Sequence, residues 1–218
     1  MGFGYLFLGY FFILNLPLRG FDILPDIVGC ILMLAAFRRL TKYCPDNRHL
    51  KNANLVLMLY ALMSALLLVY QAVGLFVEIP ESFVGLIYTP FSIVYSLVIG
   101  AYHLFMLLGI HSLAGQVGLD KLAARSVRML TLTAVYYLFE LLSYCGVLEY
   151  VAGLTEQPNV VLSYINLALY LLGVIWMLLI WALIFTCYMR ICLEGDEDMP
   201  YHEDIYDAIG RHMRDKKK

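Results

Sequence analysis

The chain has 218 residues, of which 62% are hydrophobic and only 15% are charged, and its formal net charge is −2. Its mean hydropathy is +0.77, whereas about a quarter of the residues of an ordinary soluble domain are charged. These values exclude a soluble globular domain and predict a polytopic membrane protein. No basic cluster alternates with exposed aromatic residues, so we expect no nucleic-acid binding.

Six apolar segments predict the fold. A helix needs roughly 20 apolar residues to cross the hydrocarbon core of a bilayer, and most of the segments approach or exceed that length. We therefore predict an all-α bundle of six transmembrane helices that forms one domain, 1–190, followed by a tail, 191–218. The segments lie at about 3–18, 25–43, 54–77, 84–110, 127–147 and 160–189.

The basic residues orient these segments. Of the 15 lysines and arginines, all except Arg19 fall on one side of the predicted membrane. They follow the second, fourth and sixth segments, and positively charged loops are typically cytoplasmic. The sequence therefore predicts a multi-pass protein of the cytoplasmic (inner) membrane with both termini inside.

Three predicted outer turns combine an acidic residue with a proline close to the start of the returning helix. These turns are Asp22 to Asp26, Glu78 to Glu81 and Glu156 to Asn159. One interpretation is a rim that attracts cations. The other is ordinary helix-start chemistry, because proline is favoured in the first helical turn.

The tail differs from the rest of the chain, since an acidic stretch from Glu194 precedes a basic end at Arg211 to Lys218. Ile205, Ala208, Ile209 and Met213 recur at helical spacing and suggest a short amphipathic helix after Pro200. The segment 193–218 could dock a cytoplasmic or membrane partner or lie on the bilayer surface, or it could be a solvated tail.

Polar residues recur at helical spacing inside four of the apolar segments. Such residues are costly in a membrane and usually face the bundle interior. They either form an outward-facing pocket or hold the helices together by hydrogen bonds. The stripes are Tyr60, Ser64 and Gln71; Tyr88, Ser92, Tyr95, Ser96 and His103; Thr133, Tyr137, Glu140 and Tyr144; and Ser163, Asn166 and Tyr170.

Glu140 is the one acidic residue deep within an apolar segment. It could contact a cationic ligand or carry a coupling proton, or it could be a neutral acid bonded to a neighbouring tyrosine. His103 is a candidate relay residue, or a hydrogen-bonded core residue. Counting along the helices places His103 about 10 Å nearer the inner surface than Glu140, so we expect no direct pairing.

The leading functional hypothesis is a protein that binds or transports a small neutral or cationic solute through this pocket. An accessory or assembly subunit of a membrane complex is the alternative, and an intramembrane enzyme acting on lipid is a more distant one. No catalytic, metal or cofactor motif is present, so we predict neither a cofactor nor a metal. The candidate binding residues are Gln71, Tyr88, Ser92, Tyr95, Tyr137, Glu140, Tyr144, Asn166 and Tyr170.

Phe21 to Gly29 reads Phe-Asp-Ile-Leu-Pro-Asp-Ile-Val-Gly. This stretch resembles a motif of uncharacterised bacterial multi-pass membrane proteins, in which Phe-Asp-Ile-Leu-Pro-Asp precedes an apolar pair, a glycine and a helix ending in basic residues. The resemblance covers about 25 residues, with Cys30 in place of an expected aromatic residue, and implies no activity. The predicted architecture is also similar to that of the substrate-binding subunits of energy-coupling-factor vitamin importers, although the first helix lacks their small-residue docking motif.

Overall fold

The computed structural model describes residues 2–13, 17–18, 21–22, 26–74, 81–155 and 157–191. Side chains are described for 2–12, 27–70, 90–155 and 157–191. Within these residues the chain is helical, as predicted, apart from one two-stranded pairing of Pro17–Leu18 with Phe21–Asp22. The tail from residue 192, including the predicted amphipathic helix, lies outside the described residues.

Seven helices account for most of the described chain. Six of them correspond to the six apolar segments of the sequence, and one short helix, α6, was not predicted. The helices are α1 Gly2–Ile13, α2 Asp26–Tyr43, α3 Arg48–Gly74, α4 Glu81–Gln116, α5 Asp120–Tyr144, α6 Val147–Gly153 and α7 Pro158–Arg190.

The helices form a closed ring in chain order. Each of α1 to α4 packs against the next helix, α5 packs against α7, and α7 returns to α1. Only four residues separate α2 from α3 and three separate α4 from α5, and such short connections make neighbouring helices antiparallel. The ring therefore encloses an interior that side chains from non-neighbouring helices can share.

Two glycines of α1 allow an unusually close approach to α2. A Cβ atom on Gly9 would lie 2.5 Å from Met33 Cγ and 2.9 Å from the carbonyl oxygen of Gly29, and one on Gly2 would overlap the backbone of Ala36. Neither contact leaves room for a side chain. The first two helices are thus held together by backbone contact.

The first predicted segment, 3–18, is longer than the helix that forms there. Helix α1 ends at Ile13, and Pro17 and Leu18 pair instead with Asp22 and Phe21. Proline lacks the backbone N–H that a continuing helix would need, which accounts for the absence of helix at Pro17. Asp22, which belongs to the first predicted outer turn, lies in the strand, four residues before α2 begins at Asp26.

The fifth predicted segment, 127–147, runs past the end of its helix and crosses the break that precedes α6. Helix α5 starts earlier, at Asp120, and ends at Tyr144, and α6 then leaves at an angle of 69°. Gly146 has a φ of 73°, a left-handed conformation that glycine adopts without steric cost and that commonly ends a helix. The break is therefore set by this glycine.

Three helical stretches are long and apolar enough to cross a membrane: 48–70 of α3, 90–116 of α4, and α7. A fourth results if α5 and α6 are counted as one bent span, and α1 is apolar but shorter. These features are those of a helical membrane protein. Helix α2 does not qualify within the described chain, because Arg38, Arg39 and Lys42 occupy its last turns.

Candidate functional site

An interior cavity of about 250 Å³ lies inside the helical ring. Five of the ring helices contribute to its wall: α1, α3, α4, α5 and α7. Aromatic side chains make up most of that wall, and Glu140 supplies a carboxyl group. The lining residues are Tyr10, Tyr60, Tyr95, Ser96, Ile99, His103, Tyr136, Tyr137, Glu140, Tyr144, Trp176, Met177 and Ile180.

A second cavity, which we call the groove, has a volume of about 230 Å³ and lies between α5 and α7. It shares Tyr136, Glu140 and Tyr144 with the interior cavity, and its other lining residues are Ser143, Asn166, Leu169 and Tyr170. Tyr170 is 69% exposed and Tyr144 is 41% exposed. The groove is thus the more open of the two spaces, and Glu140 borders both.

Glu140 is half-buried and accepts a hydrogen bond from the neighbouring helix α4. Ser96 Oγ on α4 donates a hydrogen bond of 2.7 Å to Glu140 Oε2 on α5. None of the 13 residues lining the interior cavity is a lysine or an arginine. The wall that the structure describes therefore presents a carboxyl group without a permanently cationic neighbour.

Trp176 is the centre of an aromatic cluster beside Glu140. Its ring stacks on Tyr136, with centroids 4.7 Å apart and an interplanar angle of 10°, and meets the ring of Tyr137 at 85°. The indole nitrogen donates a hydrogen bond of 2.8 Å to Thr133 Oγ1. This bond joins α7 to α5 and fixes the orientation of the indole.

His103 lies deeper in the ring and contacts three other helices. Its ring packs edge-on against Tyr10 of α1 and Trp176 of α7. Its Nδ1 atom lies 2.9 Å from Tyr137 Oη on α5 and 2.8 Å from the carbonyl oxygen of Ile99. The tautomer decides between these bonds, because Nδ1 donates to the carbonyl when it is protonated and accepts from Tyr137 when it is not.

Most of the predicted site residues whose side chains are described lie on these cavities. Glu140, Tyr95, Tyr137, Tyr144 and His103 line the interior cavity, and Asn166 and Tyr170 line the groove. Ser92 is buried but lines neither space. The predicted residues Gln71 and Tyr88 lie outside the described side chains.

Tyr137 lines the same cavity as His103 and Glu140. Tyr137 lies one helical turn before Glu140 and its hydroxyl group reaches His103, and one turn of helix rises about 5.4 Å. Both titratable residues line the same cavity. Glu140, Tyr137 and the candidate relay residue His103 thus border one space.

Three aromatic lining residues, Tyr10, Tyr136 and Trp176, were not predicted. Tyr136 precedes Glu140 by four positions, so helical spacing alone places it on the same face. Trp176 continues the sequence Asn166, Tyr170 and Gly173 along α7, and a buried indole N–H needs a partner. No comparable pattern marks Tyr10, because α1 is apolar on all sides.

Metal binding has no visible support in the part of the chain that the structure describes. No three histidine, cysteine, aspartate or glutamate side chains there group closely enough to hold a metal ion. Within the same residues Glu140 is the one carboxyl group on the interior cavity. The functional groups on this space are a single carboxyl group, an imidazole, several hydroxyl groups and aromatic rings.

Comparisons with protein-family models, with curated proteins and with solved structures give no match to this chain.

Proposed function

We propose that this chain is an integral membrane protein with six membrane-spanning helices that binds or transports a small neutral or cationic solute at Glu140. The spanning helices in this proposal are α1 to α5 and α7, and α6 is an extramembrane or interfacial turn of helix. The observation that carries the proposal is the shared position of Glu140 on an interior cavity and on an open groove.

The distribution of positive charge supports the proposed orientation. Arg38 and Lys42 end α2, Lys51 begins α3, Arg125 begins α5 and Arg190 ends α7. Because consecutive helices are antiparallel, these ends belong to one side of the bundle. Positive charge of this kind is typically cytoplasmic, which supports an orientation with both termini inside and the groove in the outer half of the membrane.

The apolar outer surface supports insertion in a bilayer. Large hydrophobic side chains are exposed along α3 and α7, for example Leu55 at 68%, Leu62 at 59% and Met189 at 62%. A soluble protein rarely exposes such continuous apolar faces. Lipid tails would cover them.

The cavity supports solute binding more than a purely structural role for the polar stripes. Bonds such as that between Trp176 and Thr133 do join helices, as they would in an accessory subunit. Glu140, however, borders open space on two sides, whereas a residue that serves only to join helices would be enclosed by its partners. A space of about 250 Å³ is slightly below the range of about 300–1,000 Å³ that drug-sized ligands occupy, so the solute is small.

Thermal unfolding of the purified protein in detergent or nanodiscs tests the proposal. A panel of amines, ammonium ions, amides, polyols and sugars is screened for stabilisation. A ligand at a hundred times its Kd stabilises the folded state by about 2.7 kcal/mol, and each kcal/mol raises the midpoint by roughly 2–4 °C for a chain of this size.

The matched variants are Glu140→Gln, which we expect to lose the stabilisation, and Glu149→Gln, which we expect to keep it. Glu149 is an exposed acid on α6 that lines neither cavity. If no solute raises the midpoint, or if the shift survives in Glu140→Gln, the proposal is wrong and the accessory-subunit alternative gains support.

A further inference from the structure

We infer that the ligand of the Glu140 cavity is a compact organic ammonium ion, held by the carboxylate and by aromatic faces. This inference rests on the proposed function, because it names the chemical class of solute that the same site would bind. It follows from three properties of the cavity wall: its charge, the state of its hydrogen-bonding groups and the arrangement of its rings.

The charge of the wall favours a cation over an anion or a neutral molecule. Glu140 contributes an acid, and no lysine or arginine lines either described cavity. A carboxylate in a space of low polarity is costly unless a positive charge approaches it. A bound cation would supply the charge that the described wall lacks.

The hydrogen-bonding groups of the wall are largely engaged with protein partners. Tyr95 Oη donates to Tyr60 Oη at 3.0 Å, Tyr10 Oη donates to Met106 Sδ at 3.3 Å, and Ser96 Oγ donates to Glu140. Tyr137 Oη lies 2.9 Å from His103 Nδ1 and donates to it when that nitrogen is unprotonated. A sugar or an amide would need several of these groups for itself, whereas an ammonium ion whose nitrogen is methylated needs almost none.

Aromatic rings make up most of the cavity wall, and a cation would lie against the ring faces that border the cavity rather than between Tyr136, Tyr137 and Trp176, which pack on one another. Tyr136 and Trp176 lie parallel, and Tyr137 stands at 75° to the first and 85° to the second, with centroids 5.2 and 5.5 Å away. Aromatic faces attract cations through their quadrupoles, tryptophan most strongly, and aromatic cages are a common way to bind quaternary ammonium groups. Glu140 follows Tyr136 by one helical turn, so its carboxyl group lies on the same cavity as this aromatic cluster.

The test uses two probes of equal heavy-atom number in the full-length protein. Tetramethylammonium carries a positive charge, and tert-butanol is a neutral molecule of nearly the same size; potassium chloride controls for ionic strength. Binding is followed by thermal unfolding and by fluorescence of Trp176 in a Trp181→Phe background. We expect tetramethylammonium to bind at least about tenfold more tightly than tert-butanol, with no effect of potassium.

Three variants locate the binding energy. We expect Glu140→Gln to weaken tetramethylammonium binding by at least about tenfold while Glu149→Gln leaves it unchanged. Trp176→Leu should weaken tetramethylammonium binding similarly. This variant loses the hydrogen bond to Thr133, and if that loss prevents it from folding, Tyr136→Leu serves the same purpose. Tyr164→Leu, which removes an exposed ring of α7 outside both cavities, should bind as the unaltered protein does.

The outcomes separate this inference from the proposed function. If a neutral solute stabilises the protein in a Glu140-dependent manner and tetramethylammonium does not, the ammonium assignment is overturned and the solute-binding site stands. Equal binding of tetramethylammonium and tert-butanol also overturns the assignment. If no solute binds, or if binding is unchanged in Glu140→Gln, both the ammonium assignment and the proposed function are wrong.

Discussion

Ser96 Oγ and Glu140 Oε2 are joined by a 2.7 Å hydrogen bond across α4 and α5, between residues 44 positions apart in the sequence. The bond lies where the interior cavity meets the wall of the ring, since both residues line that cavity. Because the serine hydroxyl donates to Oε2, it fixes the direction of one carboxyl oxygen. Ser96 is therefore a positioning residue for Glu140.

Replacement of this hydroxyl group gives the first prediction. In Ser96→Ala the carboxyl group of Glu140 loses its fixed direction, and we expect the affinity for a stabilising solute to fall about fivefold, equivalent to about 1 kcal/mol. The loss should be smaller than in Glu140→Gln. Titration of the unfolding midpoint against solute concentration measures it. Ser126→Ala, which removes a buried hydroxyl that bonds to its own helix, should leave the affinity unchanged.

The bond between Trp176 and Thr133 gives the second prediction, which concerns stability. Thr133→Val keeps the shape of the side chain and leaves the buried indole N–H without its acceptor. Interhelical hydrogen bonds in membrane proteins contribute about 0.6 kcal/mol on average and up to about 1.7, and the burial of both partners places this bond near the upper value. We expect Thr133→Val to lower the unfolding midpoint by several degrees, while Thr131→Val, at an exposed position of the same helix, has little effect. Equal midpoints for the two variants would contradict this prediction.

The positions of the helices could be predicted from the sequence, because the length of each apolar run and the charges beside it determine locally where a helix lies. Helix α7, Pro158–Arg190, lies within two residues of the predicted 160–189 at both ends. The end of α5 differs from the predicted one because of the backbone conformation at one residue. Gly146 at φ 73° separates α6 from α5, and hydropathy contains no information about that angle.

The site could be predicted only in part because sequence spacing defines the faces of helices and not their partners. The spacing of Tyr137, Glu140 and Tyr144 placed them on one face of α5, and all three line the interior cavity. Which helices stand opposite follows from the closure of the ring by α1 and α7. Tyr10 and Trp176 reach the cavity through that closure, which joins residues more than 160 positions apart.

The close contact between α1 and α2 gives the third prediction. Gly9→Ala would place a methyl group 2.5 Å from Met33 Cγ and 2.9 Å from a backbone oxygen, so the two helices must separate. Overpacking of this kind costs about 1–3 kcal/mol. Gly115→Ala is the matched control, because nothing lies within 4 Å of its Cβ position. A helical Gly→Ala change there should be neutral or stabilising by up to about 1 kcal/mol. A midpoint for Gly9→Ala at or above that of Gly115→Ala would show that the helices are not in contact at Gly9.

The thiol group of Cys44 gives the fourth prediction. Cys44 follows α2, and partial burial raises the pKa of its thiol above the ordinary value. Only the thiolate reacts with alkylating reagents, so at pH 8 Cys44 should react more slowly than a cysteine at the exposed neighbouring position in Asp46→Cys. The rate for Cys44 should approach the rate for Asp46→Cys as the pH rises through the raised pKa of Cys44. Mass spectrometry of alkylated protein measures both rates, and equal rates at pH 8 would be inconsistent with burial of Cys44.

The proposed orientation of the chain gives the last prediction. Asp46 lies between α2 and α3 beside the basic residues, and Gln157 precedes α7 at the other end of the bundle; both are exposed. In a background without native cysteines, a membrane-impermeant maleimide added to intact cells should label Gln157→Cys and should label Asp46→Cys only after the cells are opened. The reason is that positively charged loops remain on the cytoplasmic side. Labelling of Asp46→Cys in intact cells, with Gln157→Cys protected, would reverse the orientation and place the Glu140 groove in the inner half of the membrane.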